Sequence, residues 1–305
     1  MIGFMFKRLV WMAVTLLVVY TVSFFLMRSV PGGPFDRERV LEPEIMQNIK
    51  KRYNLDKPLY QQYLLELGKV VQGDLGYSYK INDYTVNEVI REGLPISVAL
   101  GSLALVFATT LGLIAGVTSA VLRGTWSDAL LMLIATLGIA LPNFVIAGIC
   151  IILFVFLIPI FPAAGWGDFN QLVLPAFCLG APYAAYVARI ARTSMLDVLS
   201  QDHIRTAKAK GLGPSRVILV HALRGALLPV VSFLGPAVAG ILTGSLVVEQ
   251  IFAIPGLGSH FVQAALQKDY TLAMGLVLLY TVLLYMMNWF VDLSYALLDP
   301  RVELG

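Results

Sequence analysis

Six long, mostly apolar runs constrain this chain more than any other feature. They extend over about Leu9–Met27, Ile96–Leu122, Ala129–Ile158, Leu172–Ile190, Ala226–Val248 and Leu272–Leu298. An α-helix needs about 20 such residues to cross a bilayer, and a helix is required because every backbone polar group must be bonded within the segment. Composition agrees, with 58% hydrophobic and 13% charged residues, where soluble domains carry about 25% charge. These values exclude a disordered chain, a coiled coil and a basic nucleic-acid binder. They leave too little polar surface for a soluble enzyme. The expected fold class is an all-α integral membrane protein with six transmembrane helices. The first run is too long for the apolar core of a signal peptide. Arg28-Ser29-Val30-Pro31 is a poor cleavage site, so the run is read as a retained span.

Basic residues set the expected orientation. With the N-terminus inside, the inner segments carry Lys7, Arg8, Arg123, Arg189, Arg192, Arg205, Lys208, Lys210, Arg216, Arg224 and Arg301. The short outer segments carry only Lys268. Both termini are then cytoplasmic and residues 31–95 lie outside. The expected divisions are 1–30 (start and first span), 31–95 (extracytoplasmic domain) and 96–305 (five-helix core with a loop at about 191–225).

Residues 31–95 contain more than a linker. Ile45, Met46, Ile49 and Tyr53 share one helical face, Leu59–Leu67 reads as a second short helix, and Gly73-Asp74-Leu75-Gly76 is turn chemistry. Tyr84–Ile90 reads as a third helix, with Thr85 and Glu88 in capping-box positions. The segment fits either a passive cover for helix ends or a docking and gating cap. Residues 189–225 carry seven Lys/Arg against Asp197 and Asp202, a net +5. Asp202 is expected to cap a helix of about two turns that ends at Gly211 or at Gly213-Pro214. Its small residues, Ala207 and Ala209, suit close approach to another protein. A second helix is expected from Pro214-Ser215 through His221 to Pro229.

Within the spans, Pro142, Pro175, Pro182, Pro229 and Pro236 mark bends. Gly240 and Gly244 have GxxxG spacing, which serves close helix packing or a pathway-lining face. Glu249 is divided between gate support and interface anchoring, and Asp292 reads as an interfacial anchor. Phe252–Phe261 is either a re-entrant loop or a tight external turn. Cys150 and Cys178 lie in apolar runs, which argues against a disulfide scaffold or a thiolate metal site. There is no Walker A sequence, HExxH or G-x-S-x-G elbow. His203, His221 and His260 are too dispersed for one metal site. The chain is therefore read as non-catalytic, without a bound metal or cofactor. Any energy source is a partner or an ion gradient.

The stretch His203-Ile204-Arg205-Thr206-Ala207-Lys208-Ala209-Lys210-Gly211-Leu212, followed by His221-Ala222-Leu223-Arg224 and Pro229, resembles the cytoplasmic signature loop of ABC-type importer permeases. Arg205-Thr206-Ala207 is similar to the peptide and nickel branch, where it replaces a glutamate. Arg28–Pro34, Tyr53–Pro58, Gly73–Gly76, Glu249, Phe252, Pro255–Gly258, Lys268-Asp269-Tyr270 and Asp299-Pro300-Arg301 extend the resemblance over essentially the whole chain. Residues 35–53 and 77–92 look like the B permease subunits of oligopeptide importers.

The resemblance implies the type I importer permease fold, with a helical extracytoplasmic insertion after the first span. It implies a second homologous permease subunit, two ATPase subunits that bind ATP and Mg, an extracytoplasmic peptide-binding protein and a bacterial inner membrane. Peptide is the implied substrate, membrane lipid surrounds the chain, and nucleic acid has no part. Asp202, His203, Arg205, Thr206, Ala207, Lys208, Ala209, Lys210, Gly211 and Leu212, braced by His221, would couple to the ATPase. Pro236, Gly240, Gly244 and Glu249 would support the pathway or gate. The alternatives are dipeptide or nickel-chelate cargo in the same machinery, a secondary transporter and a non-transporting scaffold. The spans carry almost none of the mid-membrane acidic groups that a secondary transporter needs.

Overall fold

The computed structural model describes residues 2–35, 43–81, 83–243 and 246–298. Gly244 and Asp299-Pro300-Arg301 lie outside them. Among the described residues the regular structure is helical, apart from one isolated antiparallel bridge between Tyr77 and Thr85. The helices are α1 (Ile2–Ser29), α2 (Pro43–Arg52), α3 (Leu59–Val71), α4 (Val86–Val121), α5 (Trp126–Ala140), α6 (Asn143–Ile151), α7 (Phe169–Leu199), α8 (Asp202–Ala209), α9 (Pro214–Arg216), α10 (Leu223–Thr243), α11 (Leu246–Ile251), α12 (Leu257–Gln267) and α13 (Tyr270–Leu298). Two π-helical segments, Ile152–Leu157 and Val217–Ala222, continue α6 and join α9 to α10.

Among the described residues, five helical stretches are long and apolar enough to cross a membrane: Phe6–Ser29, Val86–Val121, Phe169–Leu199, Pro214–Ile241 and Tyr270–Phe290. The run expected at 129–158 is instead a broken pair, Trp126–Ala140 and Asn143–Leu157, bent by 114°. Pro142 is the cause. A residue before proline is pushed out of the α region, and Leu141 has φ −87° and ψ 131°. A second difference lies at 84–95. The expected third short helix and the second span are one helix, α4, which passes through Pro95. The expected capping box starts it: Glu88 accepts hydrogen bonds from the Thr85 amide (2.8 Å) and hydroxyl (2.7 Å), and the Glu88 amide donates to Thr85 (3.2 Å).

The chain divides into two compact units, residues 1–95 with 259–282, and residues 96–258 with 283–305. In the first unit, Arg28 ends α1 with its guanidinium 3.7 Å above the Phe24 ring. It donates to Glu66 at 2.6 Å and to Gln62 at 3.2 Å, both on α3. Burial pushes the Glu66 carboxyl above its usual range, and the Arg28 charge opposes that shift. Tyr63 stacks on Phe25 and meets Phe24 edge-on, which completes the α1–α3 contact.

The triplet Lys268-Asp269-Tyr270, at the start of α13, holds two further segments of this unit. Lys268 donates to the carbonyls of Pro31 (2.6 Å) and Gly32 (3.1 Å), and the Tyr270 hydroxyl donates to Gly32 (3.2 Å). Asp269 is 1% exposed. It accepts from the Ser78 hydroxyl, from the Tyr79 and Lys80 amides (3.0 and 3.2 Å), and from the Leu272 amide in the first turn of α13 (3.1 Å).

In the second unit α7 packs against α4, α5, α6 and α10, and its small residues set the spacing. A Cβ on Gly112 of α4 would lie 2.6 Å from Val187, and one on Gly138 of α5 would lie 3.1 Å from Ala185. Gly116 of α4 meets Ala188 and Ala191 in the same way, and Gly180 of α7 meets Ala104. Leu100, Leu174, Cys178, Leu179, Ile241, Phe252 and Ile254 form the main core of this unit.

Asp269→Ala leaves the Ser78 hydroxyl and the Tyr79 and Leu272 amides without this acceptor, and the Lys80 amide with Ser78 Oγ alone, at a cost of about 3 kcal/mol. Brief trypsin treatment of the purified protein is expected to cut the variant at Lys80 while sparing wild type. Identical digestion would show that Asp269 does not hold the 78–80 turn.

Candidate functional site

Helix α8 is short and two-sided. Ile204 and Ala207 are buried, 1% and 6% exposed. Asp202, His203, Arg205, Thr206, Lys208, Ala209, Lys210 and Gly211 are exposed, and Leu212 is half-buried. Asp202 lies in the first turn rather than at the cap. Gln201 holds the cap position without a side-chain capping bond, and Asp202 instead pairs with Arg205 at 3.2 Å in full exposure. The other end follows the expected chemistry. Gly211 has φ +79°, its amide donates to the Lys208 carbonyl (2.9 Å), and the Leu212 amide donates to the Ala207 carbonyl (3.3 Å). This is a Schellman motif, with Leu212 and Ala207 in one apolar cluster as its hydrophobic contact.

One expectation changes here. Ala207, a small residue suited to close approach to another protein, faces the chain's own interior. The helical period requires this once Ile204 is turned inward, because Ala207 lies one turn further on. Gly211 is expected to end α8, and it does so with a left-handed φ, while a Cβ built there meets none of the described atoms beyond its chain neighbours, so within this chain its constraint is that φ.

The platform beneath α8 consists of Ala120 on α4, Met195 and Val198 on α7, and Val217, Ala222 and Ala226 at the start of the Pro214–Ile241 span. The expected helix from Pro214-Ser215 through His221 to Pro229 begins as expected but does not end at Pro229. It runs on into α10, so that it and the span expected at 226–248 form one stretch, Pro214–Ile241, with His221 half-buried in its π-helical part. Its apolar neighbours Val217 and Ala222 make the contact with α8. Sequence reasoning missed this platform. The available signal was Ile204, the one large apolar side chain between Gln201 and Lys210.

A second group missed from sequence adjoins the platform. Asp128, in the first turn of α5, receives Arg192 of α7 in a fork: Nε donates to Oδ1 and Nη2 to Oδ2, each at 2.9 Å. The Ser119 hydroxyl donates to Oδ1 at 2.5 Å and the Gly124 amide to Oδ2 at 3.0 Å. From sequence, Arg192 reads only as part of the inner positive charge. The overlooked signal was Asp128 three residues after Thr125, which caps α5.

The proposed pathway residues are placed as follows. Pro236 is exposed on α10. Gly240 packs closely, since a Cβ there would lie 2.6 Å from the Tyr183 hydroxyl of α7. Asp292 is in α13, with its side chain outside the described ones. Glu249 of α11 is fully buried. It accepts from the Ser97 hydroxyl of α4 (2.8 Å) and the Gly258 amide (2.7 Å), and Ser97 accepts from the Leu257 amide (2.9 Å). Glu249 thus folds Pro255-Gly256-Leu257-Gly258 back over itself, with Phe252, Ile254 and Leu257 buried around it. A Cβ on Gly256 would overlap the carboxylate.

Gly256→Ala is expected to lower the thermal midpoint by several degrees through about 1–3 kcal/mol of overpacking, with Glu249→Ala in the same direction. Unchanged midpoints in both variants would remove the carboxylate as the organiser of this loop.

Comparison with known proteins places this architecture. The family described as the binding-protein-dependent transport system inner membrane component matches residues 108–304, and its N-terminal companion matches residues 1–101. The chain is 45% identical over 305 residues to the oligopeptide transport system permease protein OppB of Haemophilus influenzae, covering 99% of this chain and 100% of that protein. It is 45% identical over 304 residues to the dipeptide transport system permease protein DppB of Bacillus subtilis, covering 100% and 99%. It is 42% identical to OppB of Escherichia coli, covering 99% and 100%. A solved structure of the MetNI methionine ABC transporter in inward-facing form shares the fold with a TM-score of 0.55, at 18% identity, over 69% of this chain and 96% of that one. Full-length matches of this order, on an all-α multi-spanning frame, show that the chain belongs to the inner-membrane permeases of binding-protein-dependent transport systems, in the group that contains OppB and DppB.

Proposed function

We propose that this chain is one of two homologous permease subunits of an ATP-driven importer that carries oligopeptides into the cytoplasm by alternating access. The observation that carries the mechanism is α8, welded to the chain by Ile204 and Ala207 and presenting a basic outer face. His203, Arg205, Thr206, Lys208, Ala209 and Lys210 dock in a groove on an ATPase subunit. Asp202 orders Arg205, and Gly211 and Leu212 close the helix. His221 lies in the bracing segment. ATP and Mg are held by the two ATPase partners, whose closure moves α8.

The topology that goes with this reading has six spans, counting α5 and α6 as one broken span. Both termini are cytoplasmic, residues 31–95 form the extracytoplasmic domain, and the coupling loop is at about 191–225. The names of the OppB relatives support peptide as cargo, delivered by an extracytoplasmic binding protein that contacts the 31–95 domain. Glu249 supports the outer gate by holding the 255–258 turn, and Pro236 and Gly240 shape α10 beside the pathway. A dipeptide cargo in the same machinery is the second reading, favoured by the 45% identity to DppB.

Gly211 tests the coupling assignment. Its left-handed φ is tolerated by asparagine and costs a β-branched residue about 1–3 kcal/mol. In proteoliposomes with the second permease, ATPases and binding protein, Gly211→Val is expected to lose most peptide-stimulated ATP hydrolysis and import. Gly211→Asn is expected to keep the larger part of both. Wild-type behaviour of Gly211→Val would overturn the assignment of α8.

A further inference from the structure

We propose that the Asp128–Arg192 pair carries movement of α8 to α5, which makes these two side chains positioning residues for transport. The inference rests on the reading of α8 as the ATPase-docking element. Ile204 and Ala207 pack against the ends of α4 and α7 and the start of the Pro214–Ile241 span. Packed interiors do not deform continuously, so a displaced α8 moves these three helix ends together. Helix α5 contributes no residue to that cluster. It packs along α7 through Ala135 and Gly138 against Ala185 and Ala188, and its N-terminal end is tied to α7 through Asp128, whose two oxygens accept four hydrogen bonds, from Arg192, Ser119 and Gly124.

Arg192 precedes Met195 by one turn and Val198 by two, so the guanidinium stands on the same stretch of α7 that supports α8. The planar fork fixes the orientation of α5 as well as its distance, which a single point charge cannot do. At its far end α5 meets Leu141-Pro142, where the chain turns by 114° into α6. Helix α5 therefore rests on α7 along its length, is locked in orientation at Asp128 and ends at the bend at Pro142. Through the pair, a displacement of α8 becomes a rotation of α5 and a change in the direction of α6.

The test is ATP hydrolysed per peptide imported, measured on the whole complex in proteoliposomes. The variants are Asp128→Asn, Arg192→Lys and the double. Each single variant is expected to raise the ratio by about fivefold or more while ATPase subunits still co-purify. The double is expected to be no worse than the poorer single, because both remove one connection. Arg192→Lys keeps the charge and loses the fork, so it is the variant to read where Asp128→Asn does not assemble. An unchanged ratio, with both rates falling in proportion to the amount of assembled complex, would leave only a local stabilising role and overturn the proposal. A double variant that multiplies the two single effects would also overturn it. Failure of the α8 reading shows separately, as wild-type coupling in Gly211→Val.

Discussion

The second unit depends on how closely α7 approaches its neighbours. Lipid tails are as apolar as leucine, so spans gain little from burying apolar surface and associate through shape and dispersion. Gly112, Gly116 and Gly138 remove the side chains that would hold α4 and α5 away from α7, and Gly240 does the same on α10 for the Tyr183 hydroxyl. That approach brings Arg192 within reach of Asp128. It also lines up Met195 and Val198 beneath Ile204 and Ala207. The orientation of α8 thus depends on small residues outside it, of which Gly116 and Ala191 lie one turn from Ala120 and Met195 beneath α8.

Three buried carboxylates do the joining where helices end. Asp128, Glu249 and Asp269 each accept a serine hydroxyl, from Ser119, Ser97 and Ser78, and each also accepts backbone amides of a connecting turn. A carboxylate is an acceptor with two oxygens, so one side chain can serve several orphan donors at a helix end. The glycines beside these groups follow from the same geometry. Gly256 has no room for a Cβ next to Glu249, and Gly124 turns its amide onto Asp128 from a left-handed conformation.

Much of this frame was legible in the sequence. Apolar length located five spans, the Thr85/Glu88 box located the start of α4, and Gly211 located the end of α8, since each is a local rule that tertiary contacts do not override. The 114° bend was marked by Pro142, but apolar length alone joined α5 and α6 into one span. The inward turn of Ala207 and the Asp128–Arg192 fork were not legible. Both depend on which face of α7 lies against α4 and α5, and no residue spacing within one segment states that. Glu249 stood out as an ionisable group in an apolar setting, yet its partner Ser97 lies 152 residues away.

The most direct test of the central claim, that α8 meets the ATPase with one face and its own chain with the other, is a cysteine scan of positions 202–212 with a short thiol cross-linker in the assembled complex. The account predicts a helical pattern. Cross-links to the ATPase should form from cysteines at Arg205, Thr206 and Ala209, and none from Ile204 or Ala207, with the buried Cys150 and Cys178 silent. Cross-linking that is uniform along the segment, or strongest from Ile204 and Ala207, would contradict it.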